Sequence, residues 1–196
     1  LEFRRVLFRS KEVFTKEEFV DLFKLDKLGN TPIKFDLNKL VWLNQQHMKM
    51  MTTYDFMNVL SNQLVDWCKT NNKEVTDMID IDFSILQSGI AERAKTTQDF
   101  IKLVEPLLNI NLSAIKENDL IKEAFERIVK LDDFSSVAIY DDMKKLVTEK
   151  GLKVGDLMKP LRLEVFNNLT LPIADAIQAL GKEPFEKALQ SKKMKP

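Results

Sequence analysis

Apolar residues in this chain recur three and four positions apart, and no segment sustains an apolar–polar alternation at period two. The first spacing lines one face of a helix, whereas a half-buried strand requires the second. Phe56, Val59, Leu60, Leu64 and Trp67 form one such stripe; Ile79, Phe83, Leu86 and Ile90 form another; Phe100, Leu103, Val104, Leu107 and Leu108 form a third. The cleanest face is Leu120, Ile121, Ala124, Phe125, Ile128 and Val129. Ile139, Met143, Leu146 and Val147 follow, in a helix expected from about Ser135 to Lys150. The stripes are short and separated by helix-stopping residues. The chain therefore reads as all-α, a helical bundle or cage of about nine or ten short helices joined by short loops.

Local chemistry marks the boundaries. Thr15 with Glu18 is a capping box, opening a helix through Phe19, Val20, Leu22 and Phe23 that Gly29-Asn30 is expected to stop. Asp36 is an N-cap, with Phe35 placed to staple onto Leu40. Leu37, Leu40, Val41, Met48 and Met51 fall on one face of that helix, with Trp42, Gln45, Gln46 and Lys49 off it. Thr53 is expected to cap the next helix and Asn71-Asn72 to close it. Thr96 with Asp99 reads as a second capping box, Asn109 to Asn118 as a polar loop or short turn, and Gly151 as the left-handed residue after a helix.

Thirty basic and thirty acidic side chains cancel, so overall charge gives no support to nucleic-acid binding, and any such surface needs local segregation. Between Lys144 and Arg162 that segregation exists: Lys144, Lys145, Lys150, Lys153, Lys159 and Arg162 stand against Glu149 and Asp156. Lys187, Lys192, Lys193 and Lys195 add to it. One cysteine (Cys68) excludes an internal disulfide, and with one histidine (His47) it argues against an ordinary zinc site. No Gly-rich loop suits a phosphate, and no apolar run approaches the roughly 20 residues of a membrane span. The acidic pairs Glu17-Glu18, Asp132-Asp133 and Asp141-Asp142 read as caps or solvated faces. No Ser-His or Cys-His pair can be argued from spacing, and His47 reads as a surface or junction residue.

The segment from Gly151 to Ala188 carries Leu157, Pro160, Leu161 and Arg162, a polar turn at Asn167 and Asn168, then Pro172, then Leu180-Gly181-Lys182-Glu183. It resembles the C-terminal signature of bacterial-type glutamyl-tRNA synthetases. Phe35-Asp36, Lys39-Leu40, Trp42, Asn44 and His47-Met48-Lys49 resemble a second signature of that family, and Phe14-Thr15, Glu17-Glu18 and Leu22-Phe23 the segment before it. Glu92-Arg93-Ala94-Lys95-Thr96 resembles an Arg-x-Lys-Thr run of its anticodon-side helices. The four matches keep family order and cover about residues 11 to 190. The chain departs from the pattern after Arg162, where Phe166-Asn167 replaces the usual Thr-Gly; Asn tolerates the left-handed conformation, so the turn is expected to survive.

The resemblance implies a tRNA-binding part of a larger class I ligase that attaches glutamate to its tRNA with ATP and Mg2+. The nucleotide-binding motifs of such a ligase are absent here, so neither catalytic residues nor a cofactor or metal site is implied in this chain. It implies a stem-contact end at residues 11–52 and helical anticodon-binding subdomains at 53–118 and 119–196. Arg162 is the leading base-reading candidate, since a planar guanidinium makes paired hydrogen bonds; the alternative is an Arg that ties helices together through a carboxylate. Leu171, Pro172 and Ala174 occupy a helix start that lies against the anticodon in the family, where backbone N–H groups can meet a base or phosphate. Family positions matching Arg93 lie near the third anticodon base and bear on acceptance of the glutamine tRNA. Lys159 and Lys49 are candidates for backbone phosphates, and Trp42 is expected mainly to pack. The implied partner is tRNA(Glu), with tRNA(Gln) as a second candidate, for a cytoplasmic monomer with neither DNA nor membrane.

A second reading is a helical adaptor docking protein helices through Met48, Met50 and Met51. Residue 1 is Leu, so the chain is expected to be a fragment or a processed product. Leu1 to Ser10 fits nothing downstream, and its Leu7-Phe8-Arg9-Ser10 end resembles a translated adapter sequence. It reads as a non-native leader, with a basic N-terminal arm as the alternative.

Overall fold

The computed structural model describes residues 12–25, 34–74 and 81–190. Among them the only regular structure is helical. Ten α-helices run in order: α1 Lys16–Leu22, α2 Leu37–Lys49, α3 Thr53–Asn71, α4 Gln87–Arg93, α5 Asp99–Leu108, α6 Asp119–Ile128, α7 Ser136–Glu149, α8 Val154–Pro160, α9 Ile173–Leu180 and α10 Glu183–Gln190. Short 3-10 turns at Phe83–Leu86 and Leu112–Lys116 and a π-helical turn at Leu161–Val165 complete the set.

The caps explain most boundaries. Thr15 and Glu18 form the expected box at α1, and Asp36 Oδ1 accepts from the N–H groups of Asn38 and Lys39 at α2. Asn118 and Ser135 cap α6 and α7 in the same way. Asn72 closes α3 in the left-handed conformation. Gly151, at φ +66°, donates to Thr148 O while Leu152 donates to Val147 O, the paired bonds of a Schellman ending for α7.

Three local expectations need correction. Helix α3 is capped by Thr52, whose hydroxyl accepts from Asp55 N–H, and not by Thr53, which is already helical. Only half of the Thr96–Asp99 box forms: Asp99 Oδ2 accepts from the N–H groups of Thr96 and Lys95, but α5 starts at Asp99 without a side-chain cap. Asn109 to Asn118 contains the short turn expected there: Ala114 and Ile115 are buried in a 3-10 turn at Leu112–Lys116. Helix α1 ends at Leu22 with Phe23 extended, well before Gly29-Asn30, which lie outside the described residues.

The core is one continuous cluster running from Met48 to Phe185. Phe56 of α3 meets Phe100 of α5 at 5.3 Å between ring centroids, and Phe125 of α6 stacks on Phe185 of α10 at 4.7 Å. Cys68 sits on the same buried face of α3 as Leu60 and Leu64. Helix α9 packs against both α7 and the Phe83–Leu86 turn, and is buried over most of its length. Backbone bonds cross between the early and late parts of the chain: Asp82 N–H to Ala179 O at 2.8 Å and Asn111 N–H to Val165 O at 2.8 Å.

Helix α1 has no buried residue, and α2 enters this core only at Met48. Of the face expected on α2, only Met48 is buried; Leu37 and Leu40 remain exposed. The staple does not form a buried contact, since Phe35 is 71% exposed. Trp42 is also exposed and serves as a platform for the Lys39 ammonium, 3.8 Å from the ring centroid, where packing was expected.

Candidate nucleic-acid interface

The segment from Pro160 to Pro172 makes an irregular double turn, and the sequence explains each bend. Pro160 is the last residue of α8 and, having no N–H, omits one rung of the ladder before Leu161 N–H resumes it on Leu157 O. The chain then widens into the π-helical turn, with Phe166 N–H donating to Leu161 O five residues back. Asn167 (φ +45°) and Asn168 (φ +64°) reverse it, and Asn168 N–H donates to Arg162 O at 2.7 Å. The left-handed turn expected from Asn in place of Gly is present. The Asn167 side-chain amide ties this turn to Asn109 O, so the bend is fastened to the loop after α5. Leu169 and Leu171 then plunge into the core on either side of an exposed Thr170.

Two arginines hold that three-residue span. Arg162 Nη1 donates to Leu169 O and, at 3.1 Å, to Leu171 O. Arg93, at the end of α4, reaches across to donate from Nε to Thr170 O at 3.1 Å, while its Nη1 donates to Gly89 O of its own helix at 3.0 Å. Three consecutive carbonyls are thus claimed by guanidiniums from two distant segments. Arg162 Nε and Nη2 and Arg93 Nη2 keep no partner among the described residues. The contacts of Arg162 are to backbone, so a carboxylate tie is not what holds it.

Helix α4 approaches this span closely. A Cβ on Gly89 would lie 3.2 Å from Pro172 Cδ and 3.5 Å from Leu171 Cδ2. Gly89 and Asn167 were not among the expected site residues. An isolated Gly inside a helical pattern was the available signal for the first, since it marks a close approach. Just beyond Arg93, the Asp99 carboxylate fixes the Lys95 and Thr96 backbone. Burial pushes the Asp99 carboxyl up, but the hydrogen bonds from Thr96, Lys95 and Lys102 outweigh it and hold the group below the ordinary carboxylate range.

Leu171 and Ala174 are buried, so their side chains serve the core and only their backbone is available to a ligand. Pro172 opens α9 without a side-chain cap, and the N–H groups of Ile173, Ala174 and Asp175 have no partner among the described residues. Such a terminus carries a partial positive charge suited to an anion or a base acceptor.

Lys159 is exposed in the last turn of α8, three residues before Arg162. Lys49 is exposed at the end of α2, between two ties to α4: Gln45 Nε2 to Ala94 O at 3.2 Å, and Gln87 Nε2 to Met51 O at 2.8 Å. Within the basic stretch Lys150 is paired with Glu123 at 2.7 Å and Glu149 with Arg127 at 2.7 Å. Lys144, Lys145, Lys153 and Lys159 are exposed and lie in no ion pair among the described residues, so the local positive excess survives folding. Asp142, expected on a solvated face, instead accepts a two-pronged bond from Arg127. Lys182 of the Leu-Gly-Lys-Glu motif turns inward to donate to Leu131 O. Lys192, Lys193 and Lys195 lie outside the described residues.

Comparison with known proteins agrees with this geometry. Residues 56–191 match the family model described as an anticodon binding domain. A glutamate–tRNA ligase of Neisseria meningitidis serogroup C is 30% identical over 195 residues, covering 92% of this chain and 40% of the relative. A glutamate–tRNA ligase 2 of Rickettsia felis is 28% identical, covering 91% and 40%. Among solved structures, a glutamate tRNA ligase from Elizabethkingia meningosepticum, in complex with its amino acid, superposes with a TM-score of 0.66 at 26% identity, over 94% of this chain and 38% of that one. The chain spans about two fifths of the length of these relatives, and the matched part is their C-terminal portion. With more than half its residues inside that family model, and a helical cage that two arginines close around the start of α9, the chain belongs to the anticodon-binding domain family.

Proposed function

We propose that this chain is the tRNA-recognising part of a glutamate–tRNA ligase, and that the span from Arg162 to Ala174 meets the anticodon loop of tRNA(Glu). One observation carries the reading: three consecutive carbonyls are neutralised by Arg93 and Arg162, which leaves spare guanidinium donors and the uncapped start of α9 together at one turn. A single-stranded loop with splayed bases is the RNA element that such a site can read. Arg162 and Arg93 would contact base edges, Pro172 and the backbone of Leu171 and Ala174 would line the approach, and Lys159 and Lys49 would hold phosphates that position without specifying. Whether tRNA(Gln) is also accepted would turn on the surroundings of Arg93.

Glutamate activation with ATP and Mg2+ would belong to the part of the ligase that this chain does not span, and no step of it is routed through these residues. The intact protein would act as a monomer in the cytoplasm. No helix among the described residues is long and apolar enough to cross a membrane. Of the three methionines behind the adaptor reading, Met48 lies in the core at 4% exposure, whereas Met50 is 57% exposed.

The test is binding of this chain to an anticodon stem-loop of tRNA(Glu) and to versions with one anticodon base changed. Arg162→Ala is expected to reduce discrimination about tenfold, within the ~1–3 kcal/mol carried by a good paired contact to a base. Binding is also expected to weaken steeply as salt rises. Equal affinity for all loops in the unsubstituted chain would falsify the reading.

A further inference from the structure

Arg93 and Arg162 do not act through separate parts of the fold. Arg162 holds the carbonyls of Leu169 and Leu171, and Arg93 holds the carbonyl of Thr170 between them. A shift in one guanidinium therefore moves the peptide planes that orient the other. The span has little slack: Leu169 and Leu171 are 1% and 0% exposed, and Pro172 lies against Gly89 of the helix that carries Arg93. On its far side the turn is fastened through Val165 O to Asn111 and through Asn167 to Asn109.

We infer that Arg93 and Arg162 form one coupled recognition unit, joined through the Leu169, Thr170 and Leu171 carbonyls, so that each arginine is a positioning residue for the other's RNA contacts. The inference rests on the reading that this turn meets an anticodon loop. Its consequence is that discrimination at the anticodon bases is shared. Loss of either arginine relaxes selectivity at the same bases, and Gly89→Ala, which leaves both arginines in place but sets a Cβ against Pro172, relaxes it at those bases too.

The test is a double-mutant cycle on this chain with Arg93→Ala, Arg162→Ala and the pair. Binding is measured to the anticodon stem-loop and to its single-base variants, with far-UV circular dichroism confirming helix content. Coupled residues lose less together than the product of their separate losses, here by about fivefold or more. The double variant is then expected to bind about as weakly as the weaker single. Should an alanine variant fail to fold, Arg93→Lys and Arg162→Lys complete the same cycle, because lysine keeps the charge but not the planar, multi-donor guanidinium. Losses that multiply to within about twofold overturn the coupling, as do two arginines that relax selectivity at different bases. A role confined to folding would lower affinity evenly for every loop and leave selectivity intact, which also overturns it. Single variants without any effect on RNA binding would instead remove the functional reading itself, so the two failures are distinguishable.

Discussion

Arg127 bridges two helices alone. Its Nε and Nη2 grip both oxygens of Asp142 at 3.1 and 2.8 Å, and its Nη1 reaches Glu149 at 2.7 Å. The Asp142 and Glu149 carboxylates raise its pKa further above an already high value, so it stays charged at every pH the fold survives. Planar two-pronged pairing is the strong form of such a bond. Arg127→Met is expected to cost about 1–2 kcal/mol in urea unfolding, discounted because the site is partly exposed, and Asp142→Asn in the same chain should recover part of it. Gly151 makes a contrasting case. Nothing lies within 4 Å of where its Cβ would be, yet its φ of +66° disfavours any side chain, so Gly151→Ala is expected to lower stability by about 1 kcal/mol through backbone strain alone. The Gly151 role was legible in the sequence because it depends on four neighbouring residues. The Arg127 role was not, because its partners lie 15 and 22 residues away.

The elements divide along the same line. Thr15, Asp36, Asn72 and Ser135 end their helices as their types suggest, since a cap is satisfied within one turn of chain. Thr96 and Asp99 form half of their box: Asp99 Oδ2 accepts from Thr96 N–H, while the buried stripe beginning at Phe100 sets the start of α5 at Asp99. A short turn was legible between Asn109 and Asn118, but its burial was not, because the two adjacent buried residues Ala114 and Ile115 show no period. The π-helical turn was hidden because Leu161 and Val165, four apart, look like any α-helical face. Asp99 gives this scale a test. Its folded pKa is depressed, so its contribution is fully present above the ordinary carboxylate value of about 3.9 and is lost as pH falls through the lower folded value. The amide resonances of Lys95 and Thr96 are expected to titrate below about pH 4, and Asp99→Asn to abolish that step. A step that persists in the variant would assign it to another carboxylate.

For the whole molecule, the decisive fact is that α9 belongs to both ends of the chain, touching α7 on one side and the Phe83–Leu86 turn on the other. The candidate site lies on this junction, which is why the sequence presented Arg93 and Arg162 as two separate motifs and only the fold made them neighbours on one span. A core this continuous is expected to unfold in one step: near-UV and far-UV circular dichroism should give coincident urea transitions. Phe185→Ala, which empties the ring stack against Phe125, should move both transitions together by about 3–5 kcal/mol. Two separate transitions would mean that α9 does not bind the parts into one cooperative unit.

Cys68, at 2% exposure on the inward face of α3, makes the molecule its own clock. The sequence holds one thiol, and a labelling reagent reaches it only when α3 leaves its neighbours. Its rate of modification therefore counts openings of the cage. If RNA engagement at the distant turn slows that rate, the stiffness acquired at the α9 junction has been transmitted to the opposite wall.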